Sequence, residues 1–153
     1  MKEKDLYGPI KTAFEKFYSY SYKNCFFEIT SEIYVKDFIS KYQLTKFYPD
    51  YQLFLIKVDI CGIVQAKKQK RGLVIIEVKK SRITVDHISQ ILGYSKIILP
   101  AEAWIISPKG WTNLVENIAK FRKDILKYKD NKYVKLAKFD VSSQTIKPGE
   151  ILS

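Results

Sequence analysis

The chain of 153 residues is 46% hydrophobic and carries a formal net charge of +11, from 27 lysines and arginines against 16 aspartates and glutamates. This length suits one domain with one core. Because no apolar run approaches the roughly 20 residues of a membrane span and the N-terminus lacks the apolar segment of a signal peptide, we expect a cytoplasmic protein without a membrane partner.

The basic excess favours a polyanionic partner. A lysine-rich surface of the kind found in heat-adapted proteins explains only part of it, because Glu does not balance Lys. Cys25 and Cys61 are the only cysteines and lie far apart, so they cannot alone complete a four-thiolate iron–sulfur site or a zinc ribbon. We expect both to be free thiols in a reducing compartment.

Apolar periodicity predicts helices alternating with strands, and hence one α/β domain over residues 1–153. Apolar residues at helical spacing from Asp5 to Tyr22 predict a first helix. The other predicted elements are, in chain order, a strand at Cys25–Thr30, a short helix at Val35–Tyr42, a strand at Leu53–Val58 that continues through Asp59 to Val64, a basic turn at Gln65–Arg71, a strand at Leu73–Lys79, a helix at Ile83–Ile97, a strand at Ala103–Ser107, a helix capped by Thr112 or Asn113, and a strand at Tyr133–Asp140. Residues 143–153 are predicted to form a loosely held tail.

The strand that starts at Leu73 ends in alternating charge. Side chains alternate faces along a strand, so Glu77 and Lys79 are expected to point the same way. Charges at the end of a buried strand need a compensating interaction, because removing them from water is unfavourable. A metal ion bound by the carboxylate would supply it.

A second carboxylate is expected beside the first. The two strands joined by the turn at Gln65–Arg71 predict a hairpin, and folding it back brings Asp59 near Glu77. Two carboxylates around one hard cation are the oxygen ligands that Mg²⁺ prefers.

Asp59, followed by Glu77-Val78-Lys79, resembles the signature of the PD-(D/E)XK nuclease superfamily. Gln90-Ile91-Leu92-Gly93-Tyr94 resembles the Q-x-x-x-Y element of its RecB-type branch. Val58 stands where the family name has proline. The resemblance covers roughly the first two-thirds of the chain. It implies an α/β fold with a restriction-endonuclease-like core, in which helices flank a central mixed β-sheet in the order αβββαβ.

The resemblance also implies metal-dependent hydrolysis of DNA phosphodiester bonds. Asp59 and Glu77 would hold Mg²⁺ or Mn²⁺, with the Val78 carbonyl as a further ligand. Lys79 would orient or deprotonate the attacking water. Glu15 is the candidate for the glutamate that the family's first helix contributes, with Glu3 as the alternative. The residues expected to contact the phosphates of DNA are Gln90, Tyr94, Lys80, Arg82 and Lys96.

Other interpretations stay open. Glu77-Val78-Lys79 can end an ordinary core strand, and Glu15 can be a solvated partner of Lys11 or Lys16. Within the enzyme class, a Holliday-junction resolvase is the main alternative, and it would act as a homodimer. A third class is a catalytically inactive nucleic-acid-binding module of the same fold, whose tyrosines stack on unpaired bases. His87 is expected to be a surface or capping residue.

Overall fold

A mixed β-sheet forms the centre of the protein. The computed structural model describes residues 1–65 and 70–152, and it describes side chains up to residue 146. The strands are β1 Asn24–Ile29, β2 Ile60–Gln65, β3 Gly72–Val78, β4 Glu102–Ser107, β5 Lys127–Lys129, β6 Lys132–Tyr133, β7 Lys135–Asp140 and β8 Thr145–Leu152. The helices are α1 Tyr7–Ser19, α2 Val35–Lys41, α3 Val85–Ile98 and α4 Asn113–Phe121, with 3₁₀ turns at Glu3–Leu6, Tyr51–Leu53 and Lys123–Leu126.

Six strands pair in the order β1-β2-β3-β4-β7-β8, and β5 and β6 form a separate ribbon. β3, β4 and β7 are parallel neighbours, while β1, β2 and β8 join antiparallel. The parallel pairs follow from the connections, since α3 carries the chain from β3 back to the start of β4. The expected mixed α/β sheet with flanking helices is confirmed.

Both faces of the sheet are covered. In β3, Leu73 and Ile75 face α2 and α3, whereas Val74 and Ile76 face α1. Burial on both faces explains why β3 is a continuous apolar run rather than an alternating one. The face under α1 is aromatic, and the ring of Phe14 meets Trp104 edge-on at 5.3 Å between centroids.

The predicted strand at Leu53–Val58 is wrong. Residues 54–58 have no regular structure, and β2 begins only after Asp59. The carbonyls of Phe54 and Ile56 accept the amides of Lys36 and Val35, at 3.1 and 2.8 Å. This segment therefore satisfies the open amides in the first turn of α2 instead of pairing with a strand.

Two predictions near the C-terminus are also corrected. Residues 145–152 form β8 against β7, where a loose tail over 143–153 was expected. The Asp140 carboxylate accepts the amides of Ser142 and Ser143, at 3.0 and 3.3 Å, and so stabilises the turn that reverses the chain. The predicted strand at Tyr133–Asp140 is divided between β6 and β7.

No helix within residues 1–65 and 70–152 has both the length and the hydropathy to cross a membrane.

The packing of β2 against β1 generates a test of the fold. Gly62 lies opposite Phe27, and a Cβ at Gly62 would overlap the buried Phe27 ring. We expect Gly62→Ala to lower the free energy of unfolding by about 1–3 kcal/mol, because overpacking displaces the ring. The matched control is Gly93→Ala on α3, where a Cβ meets nothing within 4 Å, and there we expect stabilisation of up to about 1 kcal/mol. Urea unfolding measures both, and equal effects would contradict the packing at Gly62.

Candidate active site

The β2–β3 hairpin brings two carboxyl groups together. Its antiparallel register pairs Ile60 with Ile76, so the next pair outward is Asp59 with Glu77. The Val78 amide donates to Oδ2 of Asp59 at 2.8 Å, and the Asp59 amide donates to Oε1 of Glu77 at 3.3 Å. The structure thus places the two predicted acids side by side at one end of the sheet.

Tyr7 is a site residue that the sequence reasoning missed. It lies in the first turn of α1, and its hydroxyl donates to Oδ1 of Asp59 at 2.9 Å. Burial, and then the charge of Asp59, raise the pKa of Tyr7 well above its ordinary value. The hydroxyl therefore stays a proton donor and helps to hold the Asp59 carboxylate. The only signal in the sequence was a tyrosine, with its polar tip, among the apolar residues of the first helix.

Lys79 lies on the same side of the sheet as Glu77, as strand alternation predicts. Its Nζ is 4.0 Å from Oε2 of Glu77, and its side chain is 17% exposed. Burial raises the pKa of Asp59 and of Glu77, and the positive charge of Lys79 opposes this rise. After burial, the same charge contributes to the lowered pKa of His87. The amine is therefore close to both carboxylates and to the start of α3.

Asp59 and Glu77 are adjacent carboxyl groups that are largely removed from water. Glu77 is 6% exposed, and burial, followed by the charge of Asp59, raises its pKa to about 8. Burial also raises the pKa of Asp59. One lysine offsets this charge only in part, so the protein alone favours a proton on the pair at neutral pH. A cation bound to both carboxylates would remove the need for that proton.

Glu3, rather than Glu15, is the third acid whose charge acts on this pair. Burial is the main cause of the raised pKa values of Asp59, Glu77 and Tyr7, and the charge of the half-buried Glu3 adds to each of them. Glu15 lies eight residues beyond Tyr7 on α1, or about 12 Å along a helix with a rise of about 1.5 Å per residue. There it pairs with Lys11 at 2.8 Å, as in the alternative interpretation. Among the described side chains no hydrogen bond or ion pair joins Glu15 to Asp59 or Glu77, so its role at the metal site stays a prediction.

His87 is a capping residue, as expected. Its Nδ1 accepts the Thr84 amide at 3.1 Å, and the Thr84 hydroxyl accepts the His87 amide at 3.4 Å. This reciprocal pair closes the N-terminus of α3. Burial, and then the charge of Lys79, lower the pKa of His87. The ring is thus neutral at neutral pH and close to the Lys79 amine.

Gln90 and Tyr94 contact each other along α3, where Nε2 of Gln90 donates to the Tyr94 hydroxyl at 3.1 Å. Among the described residues, no hydrogen bond joins this pair to Asp59, Glu77 or Lys79. At about 1.5 Å per residue, Gln90 lies about 4.5 Å and Tyr94 about 10 Å along the helix axis from His87. Along the helix axis, Gln90 is consequently nearer than Tyr94 to the start of α3.

The predicted phosphate-binding residues lie at two different ends of α3. Lys80 and Arg82 are exposed on the connection between β3 and α3, close to Glu77 along the chain. Lys96 is in the last turn of α3, about 14 Å along the axis from His87. Lys80 and Arg82 therefore lie before the first turn of α3, whereas Lys96 belongs to the opposite end of the helix.

The donor set suits a hard divalent cation. Within the part of the chain whose side chains are described, no group of three or more His, Cys, Asp or Glu residues is arranged to hold a metal ion. Asp59 and Glu77 nevertheless offer two adjacent carboxylates, and each Asp59 oxygen accepts one hydrogen bond, which leaves a second lone pair. Carboxylate oxygens are the ligands of Mg²⁺ and Mn²⁺, so the residues present fit such an ion.

Neither the family models, nor the curated proteins, nor the solved structures with which the chain was compared give a match.

The raised pKa of Glu77 predicts how stability depends on pH without metal. The folded chain keeps the Glu77 proton up to about pH 8, but the unfolded chain releases it near the ordinary value of 4.5. Between these values the unfolded state binds fewer protons, so the free energy of unfolding falls as pH rises. In Glu77→Gln we expect the free energy of unfolding to fall less as pH rises. The expected reduction is on the order of 1.4 kcal/mol for each tenfold difference, between the folded and unfolded chains, in the affinity of Glu77 for its proton.

The measurement is chemical unfolding from about pH 5 to about pH 8 in the presence of a chelator. Glu15→Gln is the matched control, because that carboxylate is partly exposed and already paired with Lys11. Parallel pH curves for the wild type and Glu77→Gln would show that the carboxyl pair does not hold a proton in the folded state.

Proposed function

We propose that this protein is a metal-dependent nuclease that hydrolyses DNA phosphodiester bonds, with the restriction-endonuclease-like core of the PD-(D/E)XK superfamily. The observation that carries the proposal is the contact of Asp59 with Glu77 at one end of the sheet, with the Lys79 amine beside them. The order of elements around the hairpin, with a helix before it and a helix and a parallel strand after it, also supports it.

Asp59, Glu77 and the Val78 carbonyl would hold Mg²⁺ or Mn²⁺. A bound ion of this kind lowers the pKa of a coordinated water and stabilises the charge that develops on the phosphoryl oxygens. Tyr7 keeps Asp59 oriented through its hydrogen bond. The Val78 amide holds the other oxygen of the same carboxylate, so Asp59 is fixed before any ligand arrives.

Lys79 has two roles in this proposal. Its amine, 4.0 Å from Oε2 of Glu77, would orient the attacking water or take a proton from it. Its positive charge also offsets part of the repulsion between the acids and an incoming phosphate. Lys80 and Arg82, exposed beside it, would hold the neighbouring phosphates of the strand.

Burial at the site favours an enzyme over a binding module. A surface that only retains DNA gains from lysines and arginines, and a nearly buried carboxylate pair works against it by repelling phosphate. Glu77 is 6% exposed, so ionising the pair is unfavourable in the protein alone, and a metal ion would compensate the charge. A non-catalytic module has no need of this arrangement.

A cleavage assay tests the proposal. With labelled DNA and Mn²⁺, we expect the wild type to cleave, Glu77→Gln to be slower by at least about 100-fold, and a chelator to stop the reaction. The variant should still retain DNA, because the phosphate-binding lysines are intact. Glu15→Gln, the matched control, should cleave at the wild-type rate.

If no protein cleaves while all of them retain DNA without metal, the chain is a binding module and the nuclease proposal is wrong.

A metal titration separates the two glutamates. We expect Glu3→Gln to weaken Mn²⁺ binding about 3- to 10-fold, because the negative charge of Glu3 acts on Asp59 and Glu77. Glu15→Gln should leave the affinity unchanged, since this carboxylate is about 12 Å along α1 from Tyr7. Calorimetry or thermal shift gives both affinities, and a larger loss in Glu15→Gln would contradict the assignment.

One observation favours a second candidate, a junction resolvase that acts as a homodimer. Leu114 and Phe121, seven residues apart on α4, share one side of the helix and are 60% and 78% exposed. An apolar stripe of this kind is typical of a surface that pairs with another copy. A dimeric mass in solution together with preferential cleavage of four-way junctions would favour the resolvase, whereas a monomer would favour a RecB-type exonuclease or endonuclease.

A further inference from the structure

A groove lies at the end of the sheet opposite Asp59 and Glu77. Its volume is about 480 Å³, and Gly72 and Ala101 line it where β3 and β4 begin. Glu77 is five residues beyond Gly72 along β3, which is about 17 Å at a rise of about 3.3 Å per residue. A second cavity of about 470 Å³ shares Tyr22 with the first. We call the two cavities together the distal groove.

The wall of the distal groove is basic. Lys70, Lys129 and Lys132 line its first cavity, and Asp50 is the one acid among the described residues there. None of these three lysines lies within ion-pair distance of an acid among the side chains that are described. Lys129 and Lys132 are also direct partners in the β5–β6 ribbon. Like charges opposite each other are destabilising, so this surface gains stability when an anion binds.

Aromatic rings lie between these charges. Tyr22 and Phe47 are half-buried and line the first cavity. In the second cavity the ring of Phe26, which is 42% exposed, packs on Tyr42 at 5.0 Å between centroids. Tyr48 is fixed at the base of the groove, because its hydroxyl accepts the Leu73 amide at 2.8 Å. A surface that bound only phosphate would need the lysines but not the rings.

We propose that the distal groove binds an unpaired nucleic-acid strand, with bases stacked on its aromatic rings and phosphates held by its lysines. Stacking platforms flanked by cations are how proteins bind single strands without reading sequence. A duplex hides the faces of its bases, so rings inside a cavity contact only bases that are out of the helix. This binding requires neither a metal nor cleavage, and it goes beyond the proposed nuclease.

Binding of a labelled oligothymidylate of about 20 nucleotides, measured by fluorescence anisotropy in a chelator, tests the proposal. The matched probes are an abasic oligonucleotide of the same length, which has the phosphates without the bases, and a duplex of the same length. We expect the oligothymidylate to bind at least about tenfold more tightly than either. Equal affinity for the oligothymidylate and the abasic strand would overturn the proposal, because charge alone would then explain binding.

Paired variants locate the binding. The double variant Lys70→Ala/Lys132→Ala should weaken oligothymidylate binding about tenfold. It should also reduce the slope of log affinity against log salt by about 1.4, because each phosphate contact on a single strand contributes about 0.7. Lys2→Ala/Lys120→Ala removes the same charge from two residues that line neither cavity, and it should change the affinity much less. Similar losses in the two double variants would overturn the proposal.

Ring variants separate stacking from charge. Tyr22→Leu and, independently, Phe47→Leu should weaken binding of the oligothymidylate about tenfold and leave binding of the abasic strand unchanged. Two positions are used because Tyr22 also packs on Tyr18 at 5.7 Å, and thermal melting identifies a variant that fails to fold. All of these measurements are repeated in Glu77→Gln. Binding that survives there supports the groove whether or not the wild type cleaves DNA, and binding that disappears there contradicts it.

Discussion

The contact between Asp59 and Glu77 is the constraint on which the rest of the site depends. Two carboxyl groups adjacent across a hairpin and largely out of water repel each other, and burial adds to the unfavourable interaction. The protein holds them there with the β2–β3 register, two backbone amides, the Tyr7 hydroxyl and the Lys79 amine. The raised pKa of Glu77 shows that these contacts compensate the charge only in part. A bound divalent cation is the simplest group that would complete the compensation.

The helices on both faces of the sheet begin near this point. α1 contributes Tyr7 from its first turn, and α3 begins with the Thr84–His87 capping box, within the field of the Lys79 charge. The N-terminus of a helix carries a partial positive charge, so both helices favour anions at this end of the sheet. The same field would favour the phosphates of a nucleic acid, which is consistent with the nuclease proposal.

The net charge of the chain does not show where its basic residues lie in the structure. Lys80 and Arg82 lie at the end of the sheet that holds the acids, whereas Lys70, Lys129 and Lys132 line the distal groove. A strand held in that groove would be separated from the carboxylates by the length of β3. If both proposals hold, the protein contacts nucleic acid at two places with different chemistry, metal-dependent at one end and by stacking at the other.

The sequence by itself determined the local features, because they depend on residues close along the chain. The apolar run of β3, the shared side of Glu77 and Lys79, the hairpin that returns Asp59 and the buried stripe of α3 all follow from strand and helix periodicity. Tertiary structure decided what distant residues do. It joined Phe54 and Ile56 to the start of α2, paired residues 145–152 with β7, placed the Tyr7 hydroxyl on Asp59 and left Glu15 with Lys11. The physical reason is that neighbours in space set the hydrogen-bond partners of a residue and the direction of its pKa shift. Helical spacing alone does not tell which end of α1 contacts the β2–β3 hairpin.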